Sequence, residues 1–184
     1  MALRFVLALV FACSFACARN LDPKAPSLSL AGTDGQAHAI ASGRATAIVF
    51  FSEHCPCMRA HDARVIALAR EFEPRGIAFY AVDSEVGGTV DVDRERAKDH
   101  GYPFPILVDE NARLARALGA EYATYAVVVD ASGNVLYRGG IDSDHTHLSN
   151  GATPYLREAL EDLAAGRAQR RTHTEALGCA LRTW

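Results

Sequence analysis

The sequence predicts a three-layer α/β domain, with helices on both faces of a central mixed sheet and a β-hairpin at its N-terminal side. Three observations predict it. Residues 45–51 (ATAIVFF) form a continuous apolar run, the pattern of a strand covered on both faces. Past the Cys-Pro-Cys that follows, Val65, Leu68, Ala69 and Phe72 fall at i, i+3, i+4 and i+7, the period of a helix with one buried face. Strand and helix patterns then alternate between two hairpin-like segments, which implies a parallel pair at the centre with antiparallel strands added outside it. The chain has 184 residues, 49% of them apolar, enough for one domain with a substantial core.

The first residues read as a leader. Arg4 supplies a positive charge, residues 5–11 are apolar, and Ala16-Cys17-Ala18 is a small-x-small triplet, so a signal peptide over 1–18 cleaved after Ala18 is expected. A lipoprotein signal, with Cys17 or Cys13 acylated, is the alternative, although Ser14-Phe15-Ala16 and Val10-Phe11-Ala12 are imperfect boxes for it. Residues 19–26, polar and proline-containing, read as a tether. The expected localisation is outside the cytoplasm, periplasmic or otherwise exported. Membrane contact is expected only through a lipid on Cys17, because no later apolar run reaches the length of a spanning helix.

The domain is expected over 27–166. Residues 27–30 and 37–40 flank Gly32-Thr33-Asp34-Gly35 and form a hairpin. Residues 45–51 are the first central strand, and the helix after Cys57 ends at residues 74–76, where Pro74 and Gly76 break it. A strand follows over 77–82, a charged helix over 91–100 closed by Gly101, and a short strand over 106–108. The next helix covers 111–118 and stops at Gly119. Strands over 124–129 and 135–138 flank a turn at 130–134. The last helix is expected over 154–165, with Thr153 as N-cap and Pro154 at its first position. Residues 167–184 form a tail carrying Cys179.

Charge excludes one class of function. The net charge is −3, only Lys24 and Lys98 are lysines, and the arginines form no basic stripe, so nucleic-acid binding is disfavoured. Residues 167–171, rich in arginine, read as a solvated stretch. Loss of the leader would leave three of the five cysteines, Cys55, Cys57 and Cys179. An odd number argues against a structural disulfide framework and for reactive thiols or metal ligands.

Cys55 and Cys57 stand where a strand gives way to a helix, the edge at which α/β sheets place their chemistry. Unpaired N–H groups and the positive helix end there favour thiolate, the attacking species in exchange. His54 beside Cys55 could add positive charge and Glu53 would oppose it. In helical geometry residues two apart diverge, so a Cys55–Cys57 disulfide requires a non-helical segment. Cys179 offers a second resolving thiol, with Gly178 allowing close backbone approach. A metal alternative uses Cys55, Cys57 and His61, soft ligands for Cu(I) or Zn(II), with His145 and His147 as further imidazoles or simply solvated residues. No organic cofactor is expected. His38, His100 and His173 read as surface residues, Asp142 as a local hydrogen-bonding group, and Asp83-Ser84-Glu85 as a site entrance or a solvated loop.

The motifs FFSEHCPC (50–57), GIAFYAVDSE (76–85), FPILVD (104–109), VVVDASGNVLYRGGID (127–142) and TEALGCAL (174–181) together resemble those of the thioredoxin-like redoxins. The exported thiol–disulfide oxidoreductases and the alkyl hydroperoxide reductase/thiol-specific antioxidant group are the nearest branches, and the resemblance covers roughly residues 25–181. It implies a thioredoxin fold and thiol–disulfide exchange with Cys55 attacking and Cys57 or Cys179 resolving. The implied partners are protein thiols or disulfides, small thiols or peroxide. Two departures stand out. One residue rather than two separates the cysteines, and Tyr125 occupies the place of a cis-proline that, in the family, follows Thr124, docks substrate and keeps metals off the thiols. A non-proline cis bond costs about 3–4 kcal/mol, so Tyr125 is expected in trans and the substrate edge at Thr124, Tyr125 and His54 to differ. Peroxiredoxins place proline seven residues, and threonine or serine three, before the attacking cysteine; Ile48 and Ser52 stand there, so Ser52 could orient peroxide or cap the helix.

Overall fold

The computed structural model describes residues 24–41 and 43–184. The leader, its lipidated alternative and most of the tether lie outside the described residues. Lys24 and Ala25, expected in the tether, belong to the domain: Lys24 bridges Asn134, and the buried Ala25 donates its N–H to the Gly133 carbonyl.

Among the described residues seven strands form one sheet, β1 (Ser29–Gly32), β2 (Ala37–Ala39), β3 (Thr46–Phe51), β4 (Ala78–Asp83), β5 (Ile106–Val108), β6 (Ala126–Val129) and β7 (Val135–Gly139), in the order β2-β1-β5-β4-β3-β6-β7. The parallel centre has three members, β3, β4 and β5, with β1 and β6 antiparallel on either side. Every residue of β3 is buried, as its unbroken apolar run requires, and helices α1 (Pro56–Phe72), α2 (Val90–His100), α3 (Arg113–Leu118) and α4 (Tyr155–Ala164) complete the layers. Among the described residues no helix is long and apolar enough to cross a membrane.

Several boundaries differ from expectation, β1 by two residues at each end (29–32 rather than 27–30), and three of the others have a visible local cause. β6 begins at Ala126 because Thr124 takes a left-handed φ of 72° and leaves the ladder. α3 begins at Arg113, since Asn111 and Ala112 are also left-handed and form a separate short turn. α4 begins at Tyr155, with Pro154 outside the helix and no side-chain cap from Thr153.

The arginine stretch is exposed, as expected, and is also a fastening. Arg167 and Arg170 both donate to Asp162 of α4, whose carboxyl they hold well below the usual range, and Arg171 pairs with Glu158. His100 is buried, bonded to Asp62 (2.7 Å) and Glu53 (3.2 Å), rather than at the surface. His38 is half-buried against Asp34 and Tyr80, and His173 is exposed as expected.

Candidate active site

Cys55 is the last extended residue before α1 (φ −94°, ψ 108°), and Pro56 follows at the first helical position, where its missing N–H leaves no bond unmade. Cys57 is already helical. Because the backbone changes conformation between them, the two sulfurs turn to one side. A third joins them from the far end of the chain: the thiols of Cys55, Cys57 and Cys179 lie within 4.8 Å of one another, none in a disulfide.

Residues 172–174 reach this place by running beside β7, with the Arg138 N–H donating to Thr172 and the Thr174 N–H to Arg138. The tail then crosses the site antiparallel to residues 121–123, the Ala123 N–H donating to the Cys179 carbonyl and the Leu181 N–H to Glu121, both at 2.9 Å. The approach expected of Gly178 is realised, for a Cβ there would collide with the Ala123 carbonyl oxygen. The Cys179 N–H donates to Cys55 Sγ at 3.4 Å. Thus Cys55 is buried, 1% exposed. The tail covers it.

Glu85 and Arg182 pin this strap. Glu85 accepts from the Arg182 N–H (3.1 Å) and guanidinium (3.3 Å), while the Val86 N–H donates to the Arg182 carbonyl. The Ser52 hydroxyl donates to Glu85 at 2.9 Å, so Ser52 neither caps α1 nor faces an incoming molecule. Asp83 and Ser84 are buried rather than solvated.

Burial opposes the Cys55 thiolate, but the N–H and thiol of Cys179 and the first-turn N–H groups of Met58 and Cys57 outweigh it and hold the thiol below its ordinary value. Burial and the neighbouring Cys55 charge push Cys57 up, and Cys179 to about 12. Of the three, Cys55 is thus the thiol that ionises first, and the other two are disfavoured while it is charged.

A model of the Redoxin family matches residues 21–153. The chain belongs to the Redoxin family. It is therefore an oxidoreductase of the thiol type, with thiols or peroxides as its substrates in general. This redoxin resembles an uncharacterized conserved protein from Geobacillus kaustophilus at 28% identity and TM-score 0.79, over 89% of this chain and 92% of that one. A hypothetical protein from Sinorhizobium meliloti shares the fold at 23% identity and TM-score 0.77, over 90% and 95% of the two chains. So does a peroxidoxin from Mycobacterium tuberculosis, at 16% identity and TM-score 0.59, over 80% and 97%. No curated protein matches it.

Other expected site residues fall as follows. The redoxin's Tyr125 is trans, like all peptide bonds among the described residues, and buried, its carbonyl accepting from the Phe50 N–H. The Thr124 hydroxyl donates to Leu177 of the strap, so the edge expected to bind substrate is occupied by the chain itself. His54 is exposed beside the cluster. His61 is not a member of it: both ring nitrogens are engaged, Nδ1 with the Cys57 carbonyl (2.7 Å) and Nε2 with Asp142 (3.1 Å). Asp142 also accepts from Arg64 and from the Asp144 N–H, making it a buried link between α1 and the loop after β7 rather than a purely local group. His145 and His147 are exposed in that loop, outside the sulfur cluster. Glu85, expected at a site entrance or in a solvated loop, does stand at the site; its part as a latch and Arg182 as its partner had no signal in the sequence beyond the position of Glu85 at the strand's carboxyl edge.

Proposed function

We propose that this redoxin carries out two-electron thiol–disulfide exchange, with Cys55 as nucleophile and Cys179 as resolving thiol. The Cys179 N–H donated to Cys55 Sγ carries the proposal, because it sets the strap directly against the reacting sulfur. The Cys55 thiolate attacks a substrate disulfide, one substrate sulfur leaves as thiolate and takes a proton, and the other stays bonded to Cys55. Capture removes the Cys55 charge that opposed ionisation of Cys179. Cys179 then loses its proton and attacks Cys55 Sγ, expelling the second substrate thiolate. The substrate gains two electrons and the enzyme holds a Cys55–Cys179 disulfide; the reverse sequence oxidises a dithiol.

Cys57 is less suited to resolve. It is fixed in the first turn of α1, where the Arg59 N–H bonds the Cys55 carbonyl, whereas Cys179 rides on the strap that meets Cys55. Peroxide reduction is the weaker alternative, since the hydroxyl of Ser52 is committed to Glu85. A leader at 1–18 would put the exchange outside the cytoplasm.

Equilibration in graded thiol/disulfide buffers, alkylation of remaining thiols and mass mapping test the proposal. The expected result is one two-electron transition and a Cys55–Cys179 bond. Cys55→Ser should abolish exchange, and Cys179→Ser should accumulate a mixed disulfide at Cys55. A Cys55–Cys57 bond in the native chain would reassign the resolving thiol, and thiols that never pair would end the exchange proposal.

A further inference from the structure

The sulfur cluster has a second use when all three thiols are reduced. We infer that Cys55, Cys57 and Cys179 form a three-sulfur binding site for a soft monovalent d¹⁰ cation, Cu(I). The ligand set differs from that expected of the sequence, which paired the two neighbouring cysteines with His61. Here the imidazole is withdrawn, held between Cys57 and Asp142, and the tail thiol takes its place.

Geometry supports a trigonal ion. At a metal–sulfur bond length of about 2.3 Å, three sulfurs around one ion in a plane lie about 4 Å apart. The three here lie within 4.8 Å of one another, so small side-chain rotations close the site without moving the backbone. Donor count separates the candidate ions. Zinc in a closed protein site takes four ligands, and the cluster offers three, with no histidine or carboxylate among its members. Thiolate donors in low coordination number suit Cu(I). Cys55 and Cys57 are buried beneath the strap and Cys179 is half-buried, which limits the access of water to a fourth position.

Electrostatics agree with the geometry. Three thiols crowded together resist losing more than one proton, and a cation among them reverses that by replacing repulsion with attraction. On binding, the sulfurs release to solvent whatever protons they carry, and the copper stays Cu(I), so no electron is transferred. The Cys179 N–H and the first turn of the 17-residue α1 face the negative charge that remains. Disulfide formation and copper binding exclude one another at this site, yet the copper site does not depend on exchange activity.

The test is anaerobic titration of the fully reduced chain with Cu(I), supplied as its acetonitrile complex, against bicinchoninate as competitor. One Cu(I) per chain is expected, with X-ray absorption showing three sulfur neighbours and no light atom. Cys179→Ser should weaken binding by at least about 100-fold, the upper end of what losing a mere supporting group costs a metal site. Replacing both exposed histidines (His145→Ala with His147→Ala) should change neither stoichiometry nor affinity. Failure to hold Cu(I) against the competitor, a nitrogen or oxygen neighbour, unaltered affinity in Cys179→Ser, or Zn(II) binding as tight as Cu(I) would each overturn the assignment. Thiol mapping in redox buffers is a separate measurement, so loss of either function leaves the other readable.

Discussion

Asp83 ends β4 with its carboxyl 1% exposed, facing Asp93 and Arg96 of α2. Burial first, and then the Asp93 charge, push its pKa up to about 7, against the pull of Arg96 and of the Glu85 N–H it accepts. Arg182 adds attraction from the strap, and Glu53 adds repulsion at Asp93. Folded chain therefore holds a proton on this pair that unfolded chain has released, over the window from ordinary carboxylate values up to about pH 7. Stability contributed here is present below that window and lost as pH rises through it. Asp83→Asn, which keeps an acceptor for the Glu85 N–H, should be more stable than the parent at pH 8 by at least about 1 kcal/mol, the order of one pKa unit. The advantage should fade at pH 4, as read from urea unfolding at both values. An equal effect at both would show that the carboxyl's charge is not what destabilises. Polar residues of this kind were the least legible in the sequence. His100 was expected at the surface but is buried by its partners Asp62 and Glu53, and the burial of Cys55 is decided by the strap.

At the scale of elements, legibility followed the strength of the period. β3 to β6 were readable as apolar runs, and α1 by its three-and-four spacing, because burial on a sheet face or helix stripe writes itself into consecutive residues. α3 was misread at its start, since its boundary is set by one side chain at the end of β5. Asp109 accepts from the N–H groups of Leu114 and Ala115, both at 2.9 Å, and from the Ser84 hydroxyl at 2.8 Å. That carboxylate fills the role of a cap from four residues before the helix, and the left-handed pair Asn111-Ala112 is the turn that permits it. Asp109→Ala would leave two buried N–H groups without an acceptor. A loss of about 2 kcal/mol or more in chemical denaturation is expected, with Asp109→Asn recovering part of it. No loss in the alanine variant would mean that α3 is held by Leu114 and Leu118 in the core rather than by its cap.

Across the whole molecule, the sheet order was within reach of connection rules, and Cys179 was legible as a resolving thiol with Gly178 as its close approach, but the path that carries it to the site was not. The spacing of Cys55 and Cys57 says nothing of the route taken by a residue more than a hundred positions away. What brings Cys179 in is a chain of small fittings: Asp162 fastening Arg167 and Arg170, residues 172–174 beside β7, the tight crossing at Gly178, and Glu85 holding Arg182. The last of these holds the strap three residues past Cys179, so it governs how often the strap lifts from Cys55 while the sheet stays folded. Glu85→Ala removes the acceptor of both Arg182 and Ser52, and losing charge-assisted bonds of this kind should raise the alkylation rate of Cys55 by about tenfold. Arg182→Ala should raise it less, because its exposed guanidinium contributes little in water while its backbone bonds to Glu85 and Val86 persist. Iodoacetamide labelling followed by mass analysis reads both rates, and thermal unfolding run alongside should move little in either variant. If labelling of Cys55 keeps its parental rate in Glu85→Ala, the strap opens by some other hinge and Glu85 is not its latch.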